Sequence, residues 1–194
     1  MVFVGMMYEG GLGTTLDYEK ALFYYNRAAK FDNPVALNNI GSMYLAGEGI
    51  PVNYKNALKY YRMSADGGYS VAFRNLGIMY QTGKGVEINL ERAVKYYKKA
   101  FELGENVCIE FIGSILHSGQ LTKELEAELI EFIRNKADSG DSSAMYLYGT
   151  LFAIGQIVPK DPEKAIHYIK LSVDNDNPKA AILYGNILRN EKND

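Results

Sequence analysis

The sequence predicts an all-α protein, an α/α solenoid of about five helix-turn-helix repeats. Three observations point there: a glycine that returns at a fixed interval, a second glycine that follows it, and two amphipathic segments in every interval. The 194-residue chain carries Gly5, Gly41, Gly77, Gly113, Gly149 and Gly185, each 36 residues after the last. Six residues beyond five of them stand Gly11, Gly47, Gly83, Gly119 and Gly155. A small residue lies five before each internal glycine: Ala36, Ala72, Cys108, Ala144 and Ala180. Alanines recur at Ala21, Ala57, Ala93 and Ala165, each followed by an aromatic or apolar pair such as Tyr24-Tyr25 or Tyr168-Ile169. The sixteen tyrosines, against no tryptophan, are this pattern counted several times. A period of that length marks stacked supersecondary units, because one helical hairpin cannot bury its own apolar faces.

Taken in order, the repeats run over residues 1–33, 34–69, 70–105, 106–141 and 142–177, with a half repeat at 178–194, in one repeat domain. In the first, Met1 falls inside the expected A helix, and Asp17 is placed to cap the B helix. In the second, helix A is expected from Pro34 to Ala46, with proline at the first helical position, where a missing N–H costs nothing. Ala36, Ile40, Met43 and Tyr44 form one buried stripe at helical spacing. Helix B is expected from Tyr54 to Ala65 behind Asn53, whose counterparts are Asp17, Asn89 and Asp161, all good acceptors for first-turn N–H groups. A glycine inside a helix costs about 1 kcal/mol against alanine, so its retention at Gly41 and equivalents implies a close helix crossing. The fourth repeat departs from the pattern: Gly119-Gln120-Leu121 lacks the second glycine, Leu129 replaces the alanine, and helix B is expected to start at Thr122. Its Glu124, Glu126, Glu128 and Glu131 suggest a solvated acidic face. A last A helix is expected near Pro178 to Asn190.

These residues resemble a known family. Leu76-Gly77, Met79-Tyr80, Gly83, Gly85 and Val86, with Asp17-Tyr18, Lys20-Ala21, Tyr24-Tyr25 and Ala28-Ala29, are similar to the Sel-one-like repeats of the tetratricopeptide superfamily. The resemblance covers essentially the whole chain. It implies a right-handed superhelix that binds protein or peptide partners as a scaffold or adaptor, without naming the partner.

Bulk properties narrow the alternatives. At 47% apolar and 23% charged, the chain has ordinary globular composition. A net charge of −2 gives no general attraction to nucleic acid or anionic lipid, and no apolar run reaches the length of a bilayer span. The start, MVFVGMMYEGG, shows no signal-peptide pattern. One cysteine, Cys108, excludes an intramolecular disulfide framework. A cytoplasmic location is expected, or a periplasmic or secreted one if a signal has been removed.

Candidate chemistry is sparse. Gly47-Glu48-Gly49 has the spacing of a phosphate-cradling loop, but follows a helix rather than a strand and is repeated at Gly11-Leu12-Gly13 and Gly83-Lys84-Gly85, as an A-to-B turn should be. Its first glycine suits the left-handed end of helix A. Glu163 and His167 share a helix face, yet a catalytic zinc site wants three protein ligands. Cys108 sits where other repeats place alanine and reads as a buried small residue. Some secreted members of the family have been linked to β-lactams; those are rich in paired cysteines, and no serine here precedes a lysine by three residues. Neither a catalytic residue, a metal nor a cofactor is therefore expected, and the tyrosine pairs read as core rather than as platforms for RNA.

Binding is expected on a concave face lined by A helices. Tetratricopeptide-like geometry places there the positions three before, one after and four after each glycine. The partner-binding candidates are Asn38, Ser42, Arg74, Gln81, Glu110, His117, Tyr146 and Thr150. Replacing Arg74 or Tyr146 with alanine is expected to weaken a partner without lowering the melting temperature. Self-association through incomplete terminal repeats, with Ile182, Leu183 and Ile187 partly exposed, is a further expectation. The alternative to a scaffold is a bacterial immunity protein that neutralises a secreted toxin; an enzyme is the remote third.

Overall fold

The computed structural model describes residues 1–191, with side chains through Arg189. The chain divides into two compact units, Met1–Glu105 and Asn106–Asp194. The first holds α1 (Val2–Gly10), α2 (Tyr18–Ala29), α3 (Pro34–Ala46), α4 (Tyr54–Asp66), α5 (Ser70–Thr82) and α6 (Leu90–Glu102). The second holds α7 (Cys108–His117), α8 (Lys123–Asp138), α9 (Ser142–Ile154), α10 (Pro162–Asp174) and α11 (Pro178–Glu191). No strand occurs among the described residues. Helices pair as A/B hairpins, α1/α2, α3/α4, α5/α6 and α9/α10, and each B helix also packs on the next A helix within its unit. This is the all-α repeat architecture of the solenoid type.

Local sequence sets the boundaries. Asp17, Asn53, Asn89 and Asp161 each accept the backbone N–H three residues on, at 2.9, 3.0, 2.8 and 3.0 Å. Each such cap is worth about 1 kcal/mol. Thr122 caps α8 in the same way, at 3.3 Å to the Leu125 N–H, so it precedes the helix rather than opening it. α3 has the expected bounds; α4 and α11 each run one residue beyond them.

The helix-interior glycines are notches for the second residue of each aromatic or apolar pair. A methyl group on Gly5, Gly41 or Gly77 would lie 2.5, 2.8 or 2.5 Å from a ring carbon of Tyr25, Tyr61 or Tyr97. Those three rings are fully buried. The first tyrosine of each pair stacks on the A helix instead: Tyr24 on Tyr8, Tyr60 on Tyr44 and Tyr96 on Tyr80, with centroids 5.8, 5.7 and 5.6 Å apart. Offset stacking at this range adds about 1 kcal/mol beyond area burial. In the second unit Ile169 fills the notch at Gly149, and its neighbour Tyr168 meets Tyr148 edge-on at 4.8 Å.

The fourth repeat is built differently. α7 is 10 residues long, where α3, α5 and α9 have 13. It starts without a side-chain cap, because Val107 stands where a capping residue would be needed. A methyl on Gly113 would meet Leu147 of α9 at 2.8 Å, so this notch receives the following A helix instead of its own B helix. Leu129, in place of alanine, is fully buried in α8. Glu124, Glu128 and Glu131 are exposed, and Glu126 lies 3.2 Å from Lys123, which is the solvated acidic face the sequence suggests.

Candidate functional site

The A-to-B loops are occupied by their own architecture. The Gly47 N–H donates to the Met43 carbonyl at 2.8 Å and the Glu48 N–H donates to the same carbonyl at 3.2 Å, so both close the helix end. The second glycine does more than turn the chain. Gly85 has φ +75°, and a Cβ there would lie 2.9 Å from the Tyr54 carbonyl oxygen at the start of the preceding B helix. At Gly49 and Gly85, backbone of one repeat thus rests on the next.

On the A-helix face of the first unit, the four candidates are engaged within the chain. Asn38 is buried; its Oδ1 accepts from Asn75 at 2.9 Å and its amide donates to Asn39 at 3.2 Å, tying α3 to α5. It presents no open surface. Ser42 contacts the Tyr61 hydroxyl at 3.1 Å, and Gln81 accepts from the Tyr97 hydroxyl at 2.6 Å. Glu9, at the position equivalent to Gln81 in the first repeat, does the same for Tyr25 at 2.6 Å. Burial pushes the Tyr61 hydroxyl above its ordinary pKa, and burial with the Glu9 carboxylate pushes Tyr25 higher still. Arg74 makes an ion pair with Glu105 at 2.9 Å, and Ser70 donates to the same carboxylate at 3.3 Å. The expectation that Arg74→Ala would leave the melting temperature unchanged therefore needs correcting: it would break a half-buried pair at the end of the third repeat.

In the second unit the candidates are more open. Glu110 of α7 pairs with Lys179 of α11 at 2.6 Å, on helices that flank α9 in sequence. His117 is exposed, its Nδ1 2.8 Å from the Gly113 carbonyl oxygen. Thr150 donates to the Leu147 carbonyl at 2.7 Å. Tyr146, on α9, is half-buried, and among the described residues its hydroxyl and ring have no hydrogen-bond or aromatic partner. On α11, Ile182 is 70% exposed, while Leu183 and Ile187 are half-buried.

The sequence reading missed why a polar group stands four after Gly5 and Gly77. Glu9 and Gln81 serve the buried hydroxyls of Tyr25 and Tyr97, whereas the second repeat has Leu45 at that position and meets Tyr61 with Ser42 instead. As for chemistry, no cluster of three or more histidine, cysteine or acidic side chains suited to a metal occurs among the described residues. Cys108 is fully buried, and Glu163 and His167 are exposed, with His167 edge-on to Tyr168. No described helix is long and apolar enough to cross a membrane.

Comparison with known proteins agrees with this geometry. The Sel1 repeat model matches residues 1–30, 34–69, 72–105 and 142–177, skipping the divergent fourth repeat. A search of curated proteins finds no match. Among solved structures, the protective antigen c5321 of uropathogenic Escherichia coli, described as displaying an SLR fold, is 27% identical with a TM-score of 0.76. That match covers 98% of this chain and 41% of the antigen, so the chain spans less than half of that protein. A Sel1 repeat protein from Oxalobacter formigenes is 28% identical with a TM-score of 0.73, covering 93% of this chain and 74% of that one. A putative Sel1 repeat protein from Klebsiella pneumoniae, 16% identical over 96% of this chain and 90% of its own, shares the fold with a TM-score of 0.51. With its glycine notches, tyrosine pairs and capped B helices matched by the family model over most of its length, the chain belongs to the Sel1 repeat family, a family of the protein-interaction scaffold type.

Proposed function

We propose that the chain is a non-catalytic scaffold holding a protein or peptide partner on an A-helix face, and that in the second unit Tyr146 of α9 anchors the partner. One observation carries the choice. Tyr146 is a large, partly exposed aromatic with no hydrogen-bond or aromatic partner among the described residues, whereas Tyr25, Tyr61 and Tyr97 are fully buried with hydroxyls engaged. An amphipathic ring with two side-chain torsions gives contact area at low entropic cost, which is why tyrosine is frequent among binding hot spots. Exposed His117 and the Glu110–Lys179 pair supply polar groups on the flanking helices. In the first unit, Ser42 and Gln81 support this reading less, since their polar atoms serve the core.

The test is affinity capture from the source cells with the wild-type chain and with Tyr146→Ala, read by mass spectrometry beside a thermal melt. The expected result is loss of specific partners from the variant with its melting temperature within a few degrees of wild type. An unchanged set of captured proteins would remove Tyr146 from the site.

A further inference from the structure

We propose that a cleft in the first unit, formed by Arg62 of α4, Tyr80 of α5 and Arg92 of α6, binds a carboxylate presented by an acidic peptide. The cleft has a volume of about 310 Å³, at the small end for ligand pockets and suited to a side chain rather than a nucleotide. None of the residues that line it is among the partner-binding candidates named above.

Two guanidinium groups converge on one buried phenol. Arg62 Nη2 donates to the Tyr80 hydroxyl oxygen at 2.8 Å, and Arg92 Nη1 approaches it at 3.5 Å. The Arg92 guanidinium also stands over the Tyr80 ring, 5.5 Å from its centroid. Tyr80 is only 4% exposed. Both contacts donate into its oxygen, so its own proton has no acceptor among the described residues. Burial alone would raise its pKa, but the two arginines outweigh that and lower it, making the hydroxyl a better donor. Arg62 and Arg92 are paired with no carboxylate among the described residues.

The first and fifth repeats show what is missing here. Lys20 stands over Tyr8 at 5.2 Å and is neutralised by the cap residue Asp17 at 3.0 Å. Lys164 stands over Phe152 at 5.2 Å and is neutralised by Asp161 at 3.1 Å. In the third repeat the cap is Asn89, which keeps the cap hydrogen bond but carries no charge, while Arg92 keeps the cation. Arg62 then adds a second cation, where the preceding repeat has Asn26 at the equivalent position. An external carboxylate would supply the absent counter-charge, with arginine forks well matched to its two oxygens.

Local charge selects a carboxylate over a phosphate. Glu87 also lines the cleft, so two arginines leave one net positive charge, which a monoanion balances and a dianion exceeds. Val86 and Ile88, the latter 65% exposed, offer an apolar edge for the methylenes of a glutamate or for a neighbouring apolar residue.

Fluorescence anisotropy with a labelled, amidated peptide bearing two glutamates between leucines tests this on the full chain. A second peptide has glutamines and a free C-terminus, and a third has glutamines and an amidated C-terminus. Saturable binding of the first assigns a side-chain carboxylate, binding of the second a terminal one, and the third is expected not to bind. Arg62→Gln and Arg92→Gln should each weaken binding at least tenfold, and Tyr80→Phe, which keeps the ring, several-fold. Circular dichroism melts check that the variants remain folded. The proposal is overturned by no saturable binding of either carboxylate peptide, by equal affinity in folded variants, or by inorganic phosphate displacing the peptide at lower concentration than acetate does.

Discussion

The first three repeats and the fourth use the same glycine for different purposes. In the first unit the notch at Gly5, Gly41 and Gly77 receives a tyrosine ring from its own B helix, whose hydroxyl is then met by Glu9, Ser42 or Gln81. In the fourth repeat the glycine remains, but Gly113 receives Leu147 from the next A helix. The B helix there brings Ile133 and buried Leu129, its loop has lost the second glycine, and the A helix is shortened. A repeated residue therefore marks a repeated need for close approach, not a repeated partner. Rigid rings in rigid notches make the first unit sensitive to added volume; a flexible leucine end makes the fourth repeat tolerant.

Substitution at the loop glycines is the severest way to break this contrast. Gly85→Ala would combine a left-handed backbone at φ +75° with contacts at 2.9 Å to Tyr54 backbone atoms, which cannot turn aside. We expect a loss of about 2–4 kcal/mol in urea unfolding, from strain and overpacking together. Gly119→Ala carries a similar φ of +67° with nothing within 4 Å, and should cost only about 1–2 kcal/mol. Equal losses would mean that backbone conformation alone explains the loop glycines.

The helix-interior glycines give a smaller, graded series. Gly77→Ala places a methyl 2.5 Å from the Tyr97 ring and should cost about 1–3 kcal/mol after its gain in helix propensity. Gly113→Ala meets the end of Leu147, which can change rotamer, and should cost less than half as much. Gly185→Ala on α11 meets nothing within 4 Å and should stabilise the chain by up to about 1 kcal/mol. Thermal melts of the three variants rank them; Gly113→Ala as damaging as Gly77→Ala would contradict the difference in packing.

Alkaline pH gives the mildest test. Burial, then the hydrogen bond to Asp138, pushes the Tyr168 hydroxyl up to about 12, and burial raises Tyr25, Tyr61 and Tyr148 as well. Tyrosine in the unfolded chain titrates near 10, so above about pH 10 the unfolded state loses protons that the folded state retains. This contribution to stability is complete below pH 10 and is lost as pH rises toward 12. Urea midpoints should fall over that window, and absorbance at 295 nm should show late-titrating tyrosines. Tyr168→Phe should remove the step near pH 12; an unchanged titration would place that group elsewhere.

Much of the fold is legible in the residues themselves. Capping by Asp17, Asn53, Asn89 and Asp161, the bounds of α3, the left-handed glycines and the close crossing at Gly41 all follow from local rules repeated in register. Repetition is what makes weak signals strong, since one glycine means little and six at one spacing mean a stack. The candidate surface is far less legible. Position relative to the glycine could not say that Asn38 is buried, that Arg74 is bound to Glu105, or that Gln81 serves Tyr97, because each depends on a neighbour about 16 to 37 residues away.

What the sequence by itself determined is the class of fold and the family, since both rest on periodic apolar and glycine positions that act through the nearest helices. Only the tertiary structure decided which polar groups are engaged within the chain and which are not. Tyr146 keeps its ring and hydroxyl, and Arg62 and Arg92 keep their charge beside Asn89. The physical reason is that hydrogen bonds and ion pairs are satisfied across repeats, by distance in space, and a side chain is available to a partner only after that internal demand has been met.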